Sequence, residues 1–228
     1  MRYEIFGETM PAVTVYLQPG ESMITQSGGM SWMSDGIQME TNMRGGLGGA
    51  FGRMLTGESL FMATYTAQQD GRQIALASTF PGSILVLEMR PGQEYICQKS
   101  AFLCATPGVK LSVEFTRNLG GGLFGGEGFM LQRLSGTGLV FLEVDGHAVQ
   151  RELSAGERLK VDTGNVAVFD ASVGYSVEMV RGFKNVLFGG EGLFLTVLQG
   201  PGKVWLQTIS MPEFAGRMIP YLPKPSND

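Results

Sequence analysis

Apolar residues recur with a period of two along much of the chain. Leu111, Val113 and Phe115 alternate with Ser112, Glu114 and Thr116, and Val173, Tyr175 and Val177 alternate with Gly174, Ser176 and Glu178. That spacing turns one face of a strand inward and leaves the other in water. Ile84-Leu85-Val86-Leu87 is unbroken instead, which predicts a strand buried on both faces. Val144-Asp145-Gly146-His147-Ala148 sets Asp-Gly between two strand-like runs and predicts a hairpin. Helical spacing is rare. The segment Met211-Pro212-Glu213-Phe214-Ala215-Gly216-Arg217-Met218-Ile219 predicts one short helix with proline in its first turn, followed by an extended, proline-bearing tail.

The turns between these runs repeat. An apolar-x-x-Gly-acid or amide turn reads Leu17-Gln-Pro-Gly20-Glu21, then Met89-Arg-Pro-Gly92-Gln93, then Leu153-Ser-Ala-Gly156-Glu157. Proline followed by glycine suits a type II turn. A second marker follows 16 residues after each turn glycine: Asp35-Gly36-Ile37, Pro107-Gly108-Val109 and Ala171-Ser172-Val173. A third is a Gly-Glu turn before an apolar run, at Gly57-Glu58, Gly126-Glu127 and Gly190-Glu191, its glutamates 69 and 64 residues apart. Equal spacing of markers in three copies predicts a triplication. We expect β units over 1–80, 81–144 and 145–212, then a C-terminal helix and tail over 213–228. One such unit buries too little surface to stand alone comfortably. The units must share a core or pair their edges, within the chain or between copies.

Composition sharpens this reading. The 228 residues include 34 glycines, about twice the usual share. With 43% hydrophobic and only 17% charged residues, the chain is neither disordered nor a long helical array. An all-β protein with many tight turns remains. Seventeen basic against 21 acidic residues give a net charge of −4 with no basic run, so phosphate-driven nucleic-acid binding is not expected. The N-terminus lacks the apolar core of a signal peptide, and no apolar run reaches the length of a membrane helix, so we expect a cytoplasmic chain.

Candidate chemistry is sparse. Cys97 and Cys104 flank a possible turn at Lys99-Ser100; they could face each other across a hairpin or be two small buried apolar residues. The one histidine, His147, falls in the Asp-Gly turn, which suits neither a Ser-His-Asp triad nor a multi-histidine metal site. The Gly-Gly-Glu-Gly turns lack the lysine and the following helix of a phosphate loop. Glu58, Glu127 and Glu191 admit two readings. They could converge on a hard cation through oxygen ligands, or each could accept N–H groups of its own turn. Fourteen methionines suit an irregular core or an adaptable apolar surface, and Trp32 and Trp205 suit core or interface anchors. No catalytic residues and no cofactor are expected.

Taken together, Met1-Arg-Tyr-Glu-Ile5, Leu17-x-Pro-Gly-Glu-Ser22, Trp32-Met-Ser-Asp-Gly36, Phe80-Pro-Gly82, Gln98-x-x-Ala-Phe102-Leu, the three Gly-Glu turns and Gly200-Pro-Gly-x-Val-Trp-Leu-Gln207 resemble the AIM24 family over nearly the whole chain. The resemblance implies three short double-stranded β-helix units in a pseudo-threefold arrangement, each like the subunit of the tryptophan-responsive RNA-binding attenuation protein. It also implies a tendency to assemble, and it transfers no catalytic residue. A fungal mitochondrial member is tied to inner-membrane organisation. The expected function is a non-enzymatic scaffold or binding protein that forms a homo-oligomer, with a protein or membrane-associated partner in view. The alternative is a small-ligand or carbohydrate-binding module with its cleft between units.

Overall fold

Period-two patterning between glycine turns gives a chain of strands. The computed structural model describes residues 1–26, 29–42, 62–117, 129–179 and 194–222. The first part holds β1 (Arg2–Phe6), β2 (Ala12–Leu17), β3 (Ser22–Gln26), β4 (Met30–Met33), β5 (Ile37–Asn42), β6 (Met62–Ala67) and β7 (Arg72–Ala77). The second holds β8 (Gly82–Met89), β9 (Tyr95–Gln98), β10 (Phe102–Ala105), β11 (Val109–Arg117), β12 (Phe129–Gly136) and β13 (Gly138–Asp145). The third holds β14 (Ala148–Leu153), β15 (Arg158–Asp162), β16 (Val166–Asp170), β17 (Gly174–Met179), β18 (Phe194–Gln199) and β19 (Gly202–Gln207). One helix, α1 (Met211–Met218), follows.

The strands form four antiparallel sheets, ordered β1-β2-β7-β4, β5-β6-β3-β10-β13-β8, β11-β12-β9-β16-β19-β14 and β15-β18-β17. One pairing scheme runs through all of them. The trios β2-β7-β4, β8-β13-β10 and β14-β19-β16 correspond, as do β5-β6-β3, β11-β12-β9 and β17-β18-β15. Even the irregularities match: the ladder slips between Met30 and Trp32, between Phe102 and Cys104, and between Val166 and Val168. A bulge at one place in three ladders is a built feature of the sequence. The two six-stranded sheets arise where β3 pairs with β10 and β9 pairs with β16, each joining one repeat to the next.

The first turn marker is explained by its geometry. Gly20, Gly92 and Gly156 have φ of +83°, +80° and +79°, a region that glycine enters without steric cost. The residue after each glycine closes the turn through its own N–H to Gln18, Arg90 and Ser154 carbonyls. Its side chain then accepts the N–H of the same residue, from Gln18 to Glu21 at 2.9 Å, from Arg90 to Gln93 at 3.1 Å and from Ser154 to Glu157 at 2.9 Å. An acid or amide is required there because the turn leaves that donor without a ladder partner.

Among the described residues three apolar cores lie along the array. The first gathers Val13, Val15, Leu17, Met23, Ile74, Leu76 and Phe141, the second Leu87, Met89, Tyr95, Leu134, Leu142 and Trp205, the third Leu153, Phe169, Leu198 and Val204. Strand β8 bears out its unbroken run in part: half-buried Ile84 and Val86 pack on the first core, half-buried Leu85 and buried Leu87 on the second.

Two local expectations are corrected. Asp145-Gly146 does not close a hairpin, because β13 pairs with β8 and β10 whereas β14 pairs with β19. Gly146, at φ +70°, instead turns a corner between sheets. Cys97 and Cys104 likewise do not face each other across a hairpin. The 3-10 turn at Lys99–Ala101 sends β9 into one sheet and β10 into another, and the two free thiols belong to different cores.

Helix α1 forms where predicted. Ser210 caps it by accepting the Glu213 N–H, proline occupies its first turn, and Phe214 meets Phe80 edge-on at 5.0 Å. Among the described residues no helix is long and apolar enough to cross a membrane.

Candidate functional site

The joint between repeats is the most distinctive construction in the chain, and its two halves recur at the ends. In the first joint Thr25 opposes Cys104 and Ile24 opposes Ala105. In the second Cys97 opposes Val168 and Ile96 opposes Phe169. Counted from the turn glycines Gly20, Gly92 and Gly156, the two registers are identical. The same count assigns the unused halves to Trp32 and Met33 on β4 and to Lys160 and Val161 on β15. Among the described residues β4 is bonded on one side only, to β7, and β15 on one side only, to β18. The pseudo-threefold expectation would bring these edges together within one chain, and the described residues contain no such pairing.

Each joint also exchanges side chains between cores. Ile24, from the first repeat, packs on the second core, and Ile96, from the second, lies in the third. In return Phe141 of the second repeat enters the first core, edge-on to Tyr3 at 5.1 Å, and Trp205 of the third enters the second, edge-on to Tyr95 at 6.0 Å. Phe141 stands across the ladder from Cys104, and Trp205 across from Val168. The matching pair in the first repeat is Trp32 across from Ala75. The large ring has changed strands but not place. Phe141 and Trp205 are buried, whereas Trp32 is 50% exposed and meets the Phe6 ring at 6.2 Å.

Other apolar side chains of the first repeat are exposed in the same way. Met39, Leu111 and Tyr175 follow the second marker at equal spacing. Leu111 and Tyr175 pack on the second and third cores, while Met39 is 51% exposed. Met33 is exposed as well. The β15 end differs in character. Leu159 packs on the third core, but Lys160 stands where the joints carry Ile24 and Ile96. Its ammonium is 2.9 Å from Glu178, which also meets Arg158 at 3.5 Å. The flanking cations hold the Glu178 carboxyl below its ordinary range, the hydrogen bond from Lys160 being the main cause. A lysine on an open strand opposes indiscriminate pairing.

The other candidates are accounted for as follows. Gly57, Glu58, Gly126, Glu127, Gly190 and Glu191, with the proline tail beyond residue 222, lie outside the described residues. Gly20, Gly92 and Gly156 shape turns. His147 is exposed, its backbone N–H bonded to Thr208 Oγ1 at 2.9 Å. Burial pushes the Cys97 thiol up to about 12 and moves Cys104 the same way, so neither is a nucleophile at neutral pH. Among the described residues no three His, Cys, Asp or Glu side chains are placed to hold a metal ion. Trp205 is a core anchor, and of the methionines Met23 and Met89 fill cores while Met10 and Met39 are exposed. The sequence singles out Trp32 and marks Met33 and Met39 among methionines suited to a core or an apolar surface, but it gives no local sign of Lys160 and Val161. Their signal was positional: each departs in polarity, size or exposure from its equivalents in the aligned repeats.

Known proteins fit this architecture. A curated relative, an uncharacterized protein of Streptococcus pyogenes serotype M6, is 31% identical over 225 residues, covering 95% of this chain and 89% of its own. The X-ray crystal structure of a Streptococcus pyogenes protein superposes with a TM-score of 0.79 at 27% identity, covering 97% of this chain and 99% of that one. The family model described as Mitochondrial biogenesis AIM24 matches residues 3–209, and the chain therefore belongs to the AIM24 family.

Proposed function

We propose that this protein is a non-enzymatic, self-associating scaffold or binding protein of the cytosol. Each repeat is read as a short double-stranded β-helix unit, and copies join through sheet edges. The observation that carries the reading is the pair of edges left open among the described residues: β4 and β15 match the two halves of a joint that the chain already makes twice internally. An unpaired edge is a template for another strand. Trp32 and Met33, exposed on β4, and Met39, exposed on β5, add apolar area of the kind that aromatic and methionine residues supply at interfaces.

Light scattering on the full chain at micromolar concentration tests this. A mass several times 24.6 kDa is expected. A strict monomer over that range overturns it.

A further inference from the structure

We infer that the partner at each open edge is a second copy of this chain, docked head to tail, with the third repeat of one copy seated on the first repeat of the next. This rests on the self-association proposed above and specifies its direction, register and plug. Both internal joints pair the strand after a turn glycine with the strand that leads to the next repeat's second marker, in one register. Continued once more, the rule sets Trp32 of one copy opposite Val161 of the preceding copy, and Met33 opposite Lys160.

Side chains follow the same exchange. Phe141 and Trp205 each reach back into the core of the preceding repeat. Trp32 occupies their place at the start of the chain and reaches toward the third core of the preceding copy, near Leu159. Going forward, Lys160 lies where Ile24 and Ile96 enter the following core, and its four-carbon stem covers Met39 while its ammonium stays with Glu178. The contact is heterologous, because β4 meets β15 and never β4. Such contacts build closed rings or open filaments rather than two-fold dimers.

Cysteine pairs read direction and register together. Residues directly opposed across an antiparallel ladder place their Cβ atoms about 4.5–5.5 Å apart, near enough for a disulfide after small adjustment. Met33→Cys and Lys160→Cys both change exposed side chains, and the native thiols are buried. Under mild oxidation with oxidised glutathione, an equimolar mixture of the two variants is expected to give a covalent dimer. The double variant is expected to give a ladder of higher multiples, and each single variant alone none. A dimer from Met33→Cys alone means that like edges meet, which overturns the head-to-tail joint. If the mixed and double variants give no cross-link although the wild-type protein scatters as an oligomer, the joint is overturned and self-association stands. Absence of any cross-link in a monomeric protein overturns both.

Discussion

Trp32 lies directly across the β4–β7 ladder from Ala75, whereas the same rungs in the other two repeats carry Cys104 against Phe141 and Val168 against Trp205. The total size of the pair is roughly kept while the ring moves from the inner strand to the edge strand. An aromatic side chain on an edge can be shared with whatever pairs there. A half-exposed tryptophan with a small residue beneath it has little packing to lose on its own side, so its replacement should act on assembly more than on folding.

Trp32→Asp is therefore expected to weaken self-association by about 30-fold or more, the scale of an interface hot spot of about 2 kcal/mol. Sedimentation velocity over a dilution series measures it. Its thermal midpoint, taken under monomeric conditions, should stay close to that of the wild type.

Lys160→Ile restores at the open edge the residue type found at Ile24 and Ile96. Burying an aliphatic side chain in place of an edge cation should tighten assembly by roughly tenfold and reduce its dependence on salt. Dissociation constants at low and high sodium chloride provide the comparison. Equal affinities for the two proteins would exclude Lys160 from the joint.

Arg133 holds Glu114 in a bidentate pair, with Nε to Oε2 at 2.7 Å and Nη2 to Oε1 at 2.8 Å, and its Nη1 reaches Glu94. Arg133 and Glu114 are partly shielded from water while Glu94 is exposed, and the hydrogen bond from Arg133 holds the Glu114 carboxyl below its ordinary range. Arg133→Ala leaves two carboxylates without their cation and should cost about 1–3 kcal/mol in urea unfolding at neutral pH. Because the Glu114 pKa is depressed in the fold, its contribution is present above the ordinary carboxylate range and fades as pH falls through the folded value. The gap between wild type and variant should narrow on acidification.

Asp145 works in the opposite sense. Burial, with a lesser push from Glu143, raises its carboxyl from 3.8 to about 6. A group whose pKa is raised on folding favours the folded state below its unfolded value, and the benefit is lost as pH rises through the folded value. Asp145→Asn should gain stability relative to wild type between pH 4 and about 6 and keep that gain at pH 7. The gain is on the order of 1 kcal/mol once partial solvation is allowed for. Parallel denaturant curves at pH 4 and pH 7 measure it, and a constant difference at both would contradict the assignment.

The repeats were legible in the sequence because turns impose residue types that packing cannot replace. Gly20, Gly92 and Gly156 need positive φ, and Glu21, Gln93 and Glu157 need an acceptor, so these positions stay recognisable while the strands between them drift. Strand β8 was legible for a similar reason, since Ile84 to Leu87 pack alternately on two cores and leave no polar position within that run. Sheet membership was not legible. Nothing local to Asp145-Gly146 tells a hairpin from a corner, because the choice is made by β19, some sixty residues later, which pairs with β14 and leaves β13 to β8. The same holds for Cys97 and Cys104. The open joint was only half visible: Trp32 stood out by type, but Lys160 has meaning only beside Ile24 and Ile96, once pairing has shown what those isoleucines do.

Amide hydrogen exchange at the two edges tests the head-to-tail account most directly. If β4 and β15 pair between copies, amides in Met30–Met33 and Arg158–Asp162 should gain protection together as protein concentration rises, and Trp32→Asp should abolish the gain in both. Exchange at these two edges that is fast and independent of concentration, in a protein whose central strands are protected, would contradict it.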